Sequence, residues 1–146
     1  MLTAAVAQER ERLLGVWKLK GFEVEFQDTG ERQPPVGAHP NGSIIVTAEG
    51  RMMALLTAEG RPVPHTDAEC VAAFRSMYAY SGTYRLEGDR WLTEVDAAWN
   101  EAWTGTEQLR FYRLDGEKLV VTTPWGTPVG FEGRQTRGIL TWVKEK

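Results

Sequence analysis

Two short polar pairs have the spacing of side chains on one pleated face. Glu94 and Asp96 stand two residues apart, and Gln108 and Arg110 do the same further on. Alternate residues of a strand point to the same side. Brought together inside a mostly apolar pocket, these groups would form the small polar cluster that orients a ligand. Acids buried there would have raised pKa values suited to proton transfer, which makes Glu94 and Asp96 the catalytic candidates, with Tyr84 and Arg110 beside them. Pointing outward, the same four side chains would be solvated ion pairs worth little. Trp91 and Val95 occupy the alternate positions around Glu94 and, with Tyr84, make a natural core face, so alternation favours the outward direction for the two acids.

Other reactive residue types are sparse. His39 and His65 are the only histidines, both near prolines, and two histidines without ligand spacing do not make a zinc site, so no metal and no cofactor is expected. Either could be an ordinary loop residue, a proton shuttle or an axial haem ligand. Cys70 is the single cysteine, which excludes an internal disulfide and is compatible with a reducing compartment; no histidine is placed to activate it, so it reads as packing. Six tryptophans are present, three of them, Trp99, Trp103 and Trp125, outside the β-like runs. Such aromatics either pack under loops or offer a stacking platform for a flat or hydrophobic ligand.

The 146 residues suffice for one domain over residues 1–146, and a net charge of −3 gives no electrostatic reason to expect a nucleic-acid or membrane partner. "MLTAAVAQERERLL" lacks the basic start and long apolar run of a signal peptide, and no stretch approaches a membrane span, so a cytoplasmic protein is expected.

The elements that would position these residues are strands. "YRLEGDRWL" and "YRLDGEKLV" nearly repeat one another around Glu87-Gly88 and Asp115-Gly116, and Glu49-Gly50 separates a third pair of β-like runs. Glycine at such a dipeptide permits the positive φ of a tight hairpin. With "GVWKLKGFEVEF" and "TRGILTWVK" the runs number eight. The remaining connections, 27–40, 58–79, 99–103 and 124–134, are mostly much longer. Tight turns and long loops therefore alternate between opposite ends, the pattern of an all-β, eight-stranded up-and-down antiparallel barrel with a closed base and a loop-rimmed mouth.

Within 58–79, "TDAECVAAFRSMYAY" reads as one helix between the third and fourth strands, capped by Thr66 or Asp67, with Val71, Phe74, Met77 and Tyr78 on one face. The second and third strands are apolar on both faces, with Ile45, Met53 and Leu55 opposite in parity to Ile44, Met52 and Ala54, and the helix is the expected cover. In the first run the apolar parity switches between Leu19 and Phe22, which predicts a bulge at Lys20-Gly21 and places Phe22, Val24 and Phe26 on the pocket wall.

Gly15-Val16-Trp17, with "LLGVWKLKGFEVE", "NGSIIVTAEGRMMALL", "AAFRSMYAYSGTYRLEGD", "WTGTEQLRFYRLDGEKLVVTTP" and "LTWVK" in order, resembles the lipocalin-like domain family of small bacterial and fungal β-barrel proteins (lipocalin-like/calycin). The resemblance covers nearly the whole chain. It implies that Trp17 plugs the base, with Gly15 and Trp142 as further base residues. In better-known lipocalins a late arginine crosses that tryptophan, whereas this chain has Trp142 and Lys144 late in the last strand and Arg137 nearer the mouth. The family also often has histidine where Thr93 and Glu94 stand, so histidine-dependent chemistry does not carry over.

The expected ligand-binding residues are Phe22, Val24, Met77, Tyr80, Tyr84, Trp99, Trp103, Gln108, Arg110, Trp125 and Arg137. Three functions fit. The barrel could bind a small hydrophobic molecule; it could be a cofactor-independent cyclase or isomerase acting on a small natural product; or side chains could fill it, leaving function to an interface, for which a homodimer is one form.

Overall fold

A computed structural model describes residues 4–128 and 131–146. The element order is α1 (Ala4–Leu13), β1 (Gly15–Phe26), β2 (Arg32–Gln33), β3 (Asn41–Val46), β4 (Arg51–Thr57), α2 (Asp67–Arg75), β5 (Met77–Glu87), β6 (Arg90–Ala98), β7 (Glu107–Asp115), β8 (Lys118–Thr122) and β9 (Thr136–Lys144), with a 3-10 turn at Glu101–Trp103. Consecutive strands pair antiparallel from β3 to β9, and β1 pairs with both β3 and β9. That double pairing shuts the sheet into an eight-stranded up-and-down barrel. The two-residue β2 adds only a short pairing to the far end of β1, through Val24 with Gln33.

The repeated hairpin explains how the base is built. Glu87 pairs with Arg90 and Asp115 with Lys118, the same register around the same two-residue turn. Gly88 and Gly116 take φ values of 63° and 62°, which a side chain would strain. In both copies the tyrosine faces in: Tyr84 and Tyr112 are each 7% exposed. All three tight turns lie at this end, and all four long connections at the other.

The parity switch in β1 is a bulge. Leu19 pairs with Trp142, but the next pair on β9 is Gly21 with Thr141, so Lys20 is left over. Trp17, Leu19, Phe22, Val24 and Phe26 are all buried as a result.

Three expectations change. The segment read as one helix is two elements: α2 ends at Arg75, where Ser76 caps it, and β5 starts at Met77. Thr66 caps α2 by a reciprocal pair, accepting from Glu69 N while the Glu69 carboxylate accepts from Thr66 N. Nine residues suffice for that helix, after which Tyr78 and Tyr80 take the strand period and face inward. Second, α2 does not cover the outside of β3 and β4. It has no buried residue, and Ile45, Met53 and Leu55 remain 44%, 54% and 46% exposed. Third, α1 is an additional helix, across the base. Among the described residues no helix is long and apolar enough to cross a membrane.

Candidate functional site

The barrel interior has two unlike halves. At the base, Trp17 is buried and its Nε1–H donates to Leu13 O at 2.8 Å, which ties β1 to the last turn of α1. Lys144 lies over the same ring, its Nζ 4.8 Å from the centroid. That ammonium donates to Leu14 O and, at 3.4 Å, to Arg12 O, so it satisfies carbonyls that the end of α1 leaves open. Lysine thus takes the cation's place across the base tryptophan. Burial lowers the Lys144 pKa.

The rest of α1 seals this end. Glu9 accepts from Tyr112 Oη at 2.6 Å, and the Arg10 guanidinium lies 5.7 Å from the Tyr84 ring centroid. Burial pushes the Tyr112 phenol up, and the Glu9 carboxylate pushes it further. Tyr84, Trp91 and Tyr112 then pack in series, with centroids 5.5 and 6.2 Å apart. Tyr84 Oη, Trp91 Nε1 and Trp142 Nε1 are buried with no hydrogen-bond partner among the described residues.

The mouth half is aromatic but only half-buried. Tyr78 and Tyr80 rise from β5, and Trp99 and Trp103 come from the connection between β6 and β7. Their centroids lie 5.1 Å (Tyr78–Trp99), 5.3 Å (Tyr80–Trp103) and 5.0 Å (Trp99–Trp103) apart. Phe22 joins from β1, 6.2 Å from Tyr78. Trp99 Nε1 donates to Phe74 O at 3.1 Å, and Phe74 packs on the same indole, so α2 braces the rim. Burial alone raises the Tyr78 pKa.

Strand register decides which polar candidates enter. Thr93 pairs with Gln108 and Trp91 with Arg110. Thr93 and Trp91 are buried, and directly opposed residues share a face, so Gln108 and Arg110 point inward. Gln108 Nε2 donates to Thr106 Oγ1 at 2.8 Å, and Arg110 donates to Leu109 O at 2.8 Å. The Arg110 guanidinium also lies 5.7 Å from the Trp103 centroid.

Glu94 and Asp96 have the other parity and are exposed. Asp96 accepts from Arg51 at 2.5 Å and from Ser81 at 3.1 Å, and the Arg51 bond first among its neighbours holds its carboxyl below the usual range. The four-residue cluster therefore splits across the wall: the amide and guanidinium inside, the acids outside. The reason is the one that alternation supplies, since Trp91, Thr93 and Val95 fill the inner positions of β6.

The other expected ligand contacts divide similarly. Phe22, Val24, Tyr80, Tyr84, Trp99 and Trp103 line or roof the interior. Met77 pairs with Thr57 in the same outer row as Leu55 with Ala79, so it belongs to the outside. Arg137 is also outside: it alternates with the buried Thr136 and Gly138 and donates to Glu25 at 2.8 Å. Trp125 follows it there, its ring 4.5 Å from the Arg137 guanidinium. Burial raises the Glu25 pKa, but Arg137 and Arg32 outweigh it and hold the carboxylate low.

Gly15 opens β1 and Trp142 lies late in β9, both at the base end of the barrel. Trp142 pairs with Leu19 and Leu119, both buried. His39, His65 and Cys70 are exposed, and among the described residues no three metal-ligating side chains gather. Two residues that the sequence did not place at the site, Tyr78 and Glu9, prove central, one to each end. A parity count from Tyr84 back through Gly82 and Tyr80 could have found Tyr78; nothing local marked Glu9.

A closed eight-stranded barrel with a plugged base and an aromatic rim is the architecture of the lipocalin class. Residues 14–145 match the lipocalin-like domain, and the chain belongs to that family. Among solved structures it is similar to an uncharacterized protein from Bacteroides eggerthii DSM 20697 at 16% identity, over 90% of this chain and 98% of that one, with a TM-score of 0.45. No curated protein matches it.

Proposed function

We propose that this protein binds one small, largely hydrophobic molecule in the mouth half of its barrel, in the cytoplasm. One observation carries the reading. Inward-facing residues at the base are sealed, with Trp17, Trp91 and Trp142 at 1–3% exposure, whereas the inward-facing Tyr78, Tyr80, Gln108 and Arg110 and the roofing Trp103 are only half-buried. Apolar and aromatic walls reached by solvent, with a few oriented polar groups, are what a ligand pocket presents. A sealed floor beneath them makes the binding one-ended.

The cyclase or isomerase reading loses its first candidates, because Glu94 and Asp96 face solvent. An enzyme in this barrel would have to work with Tyr80, Tyr84, Gln108 and Arg110, a set rich in donors and lacking a base.

The test uses the neutral dye N-phenyl-1-naphthylamine, titrated into the protein, with native mass spectrometry of material purified without denaturation. Saturable one-to-one dye uptake, weakened about tenfold in Trp103→Ala, is expected; aromatic–aromatic packing is worth about 0.5–1.5 kcal/mol beyond area burial. Absence of both saturable uptake and any co-purifying small molecule would overturn the reading in favour of a barrel filled by its own side chains.

A further inference from the structure

We propose that the ligand is an amphipathic acid, an apolar body bearing one anionic oxygen group, and that Arg110 receives that group inside the barrel. This rests on the mouth-half binding reading above and adds the chemical class of the guest.

Arg110 is an inward-facing cation on a wall otherwise made of apolar and neutral groups. No carboxylate lies within ion-pair distance of it among the described residues; the ion pairs of the barrel are formed by Arg32, Arg51, Arg85, Arg134, Arg137 and Lys146. Its bonds are to the neighbouring Leu109 carbonyl at 2.8 Å and, at 3.5 Å, to the Gln108 side-chain oxygen. Two neutral acceptors leave most of the five guanidinium donors without a protein partner and open to an incoming anion. The Trp103 face adds a cation–ring contact but does not supply an anion.

The surroundings offer no internal anion. Glu94, Asp96 and Glu107 are all exposed on the outside of the wall, and the Glu9 carboxylate is engaged by Tyr112 at the base. An acceptor carrying negative charge is the group that such a cation recognises; a guanidinium meets a carboxylate or sulfonate with paired donors. The aromatic rim then holds the apolar remainder.

A matched pair of dyes separates this claim from the one beneath it. 1-Anilinonaphthalene-8-sulfonate and N-phenyl-1-naphthylamine share one skeleton and differ by the sulfonate. In the intact protein both should bind. Arg110→Gln should weaken the sulfonate dye about tenfold or more, the size of a charged hydrogen bond, and change the neutral dye less than about twofold. Arg110→Lys should recover part of the loss. Arg113→Gln, on the outer wall beside a depression of about 550 Å³ that also contains Arg32, Lys118 and Arg137, should leave both dyes unchanged and so separates interior from surface binding.

Equal affinity of Arg110→Gln and the parent for the sulfonate dye would overturn the proposal while the hydrophobic pocket stands. An equal loss for both dyes would also overturn it, by showing that Arg110 only supports the wall. Failure of the parent protein to bind either dye would instead strike the pocket itself.

Discussion

The two ends of this barrel use tryptophan in opposite ways. Trp17 and Trp142 at the base are almost wholly buried, and Trp17 is locked by a hydrogen bond to Leu13 and a cation above its ring. Trp99 and Trp103 at the mouth sit on a loop, half-buried against one another and against Tyr78 and Tyr80. The base spends its aromatic area on stability. The mouth leaves its aromatic area partly open to solvent. Residue type alone did not separate the roles; the connection length at each end did.

The largest expected effect follows from that contrast. Trp17→Ala should cost about 3–5 kcal/mol, the range for emptying a large aromatic site in a core. Thermal unfolding followed by circular dichroism should show a midpoint lower by on the order of 10 °C. Trp103→Ala should cost about 1 kcal/mol and act mainly on dye affinity. Equal destabilisation by the two variants would mean that the mouth aromatics are core, not rim.

Tyrosine gives a second, smaller test of the same asymmetry. Burial raises the pKa of both Tyr78 at the mouth and Tyr112 at the base, but Tyr112 also faces the Glu9 carboxylate and is raised much further. In the unfolded chain both phenols ionise near the ordinary value of about 10, while the folded barrel keeps them protonated. The stability they confer is therefore intact below that pH and is lost as pH rises through and beyond it. Denaturant midpoints measured between neutral pH and about pH 11 should fall for the parent, fall much less for Tyr112→Phe, and be only slightly improved by Tyr78→Phe. At neutral pH Tyr112→Phe should cost about 1–2 kcal/mol, because Glu9 loses its partner. An unchanged alkaline slope in Tyr112→Phe would remove the Tyr112–Glu9 contact from the account of the base.

Much of the wall was legible in the sequence because strand parity and turn chemistry are local. The repeat around Gly88 and Gly116, the parity switch at Lys20-Gly21 and the sorting of long from short connections all follow from neighbours in the chain. The helix after Thr66 was legible at its start, where the Thr66–Glu69 cap is a local pattern, and not at its end: Met77 and Tyr78 continue the helical face as well as they begin the strand, and only pairing with β4 decides.

The outer wall misled for a related reason. Ile45, Met53 and Leu55 looked as if they must be covered, but burial depends on what arrives from elsewhere, and α2 packs on Trp99 instead. At the site, alternation correctly pointed Glu94 and Asp96 outward, and it should have been applied equally to Met77 and Arg137, whose neighbours in β5 and β9 already declared their side. Glu9 was out of reach. It lies 103 residues from Tyr112, and no local pattern announces such a bond.

The smallest predicted effect compares two cations placed over tryptophan. Lys144 crosses Trp17 at 4.8 Å and Arg110 approaches Trp103 at 5.7 Å. The contacts look alike, yet the base cation also serves the open carbonyls of Leu14 and Arg12, where a helix end favours positive charge. Lys144→Met should therefore cost about 1 kcal/mol, and Lys144→Arg less. Arg110→Gln should change stability by no more than about 0.5 kcal/mol in the absence of guest, because its neutral acceptors are met as well by an amide and the position is reached by solvent. Urea unfolding of the two variants side by side decides the matter. If removing Arg110 destabilises the free barrel as much as removing Lys144, the mouth cation is a structural brace, and the difference between a sealed floor and a receptive rim does not extend to their charges.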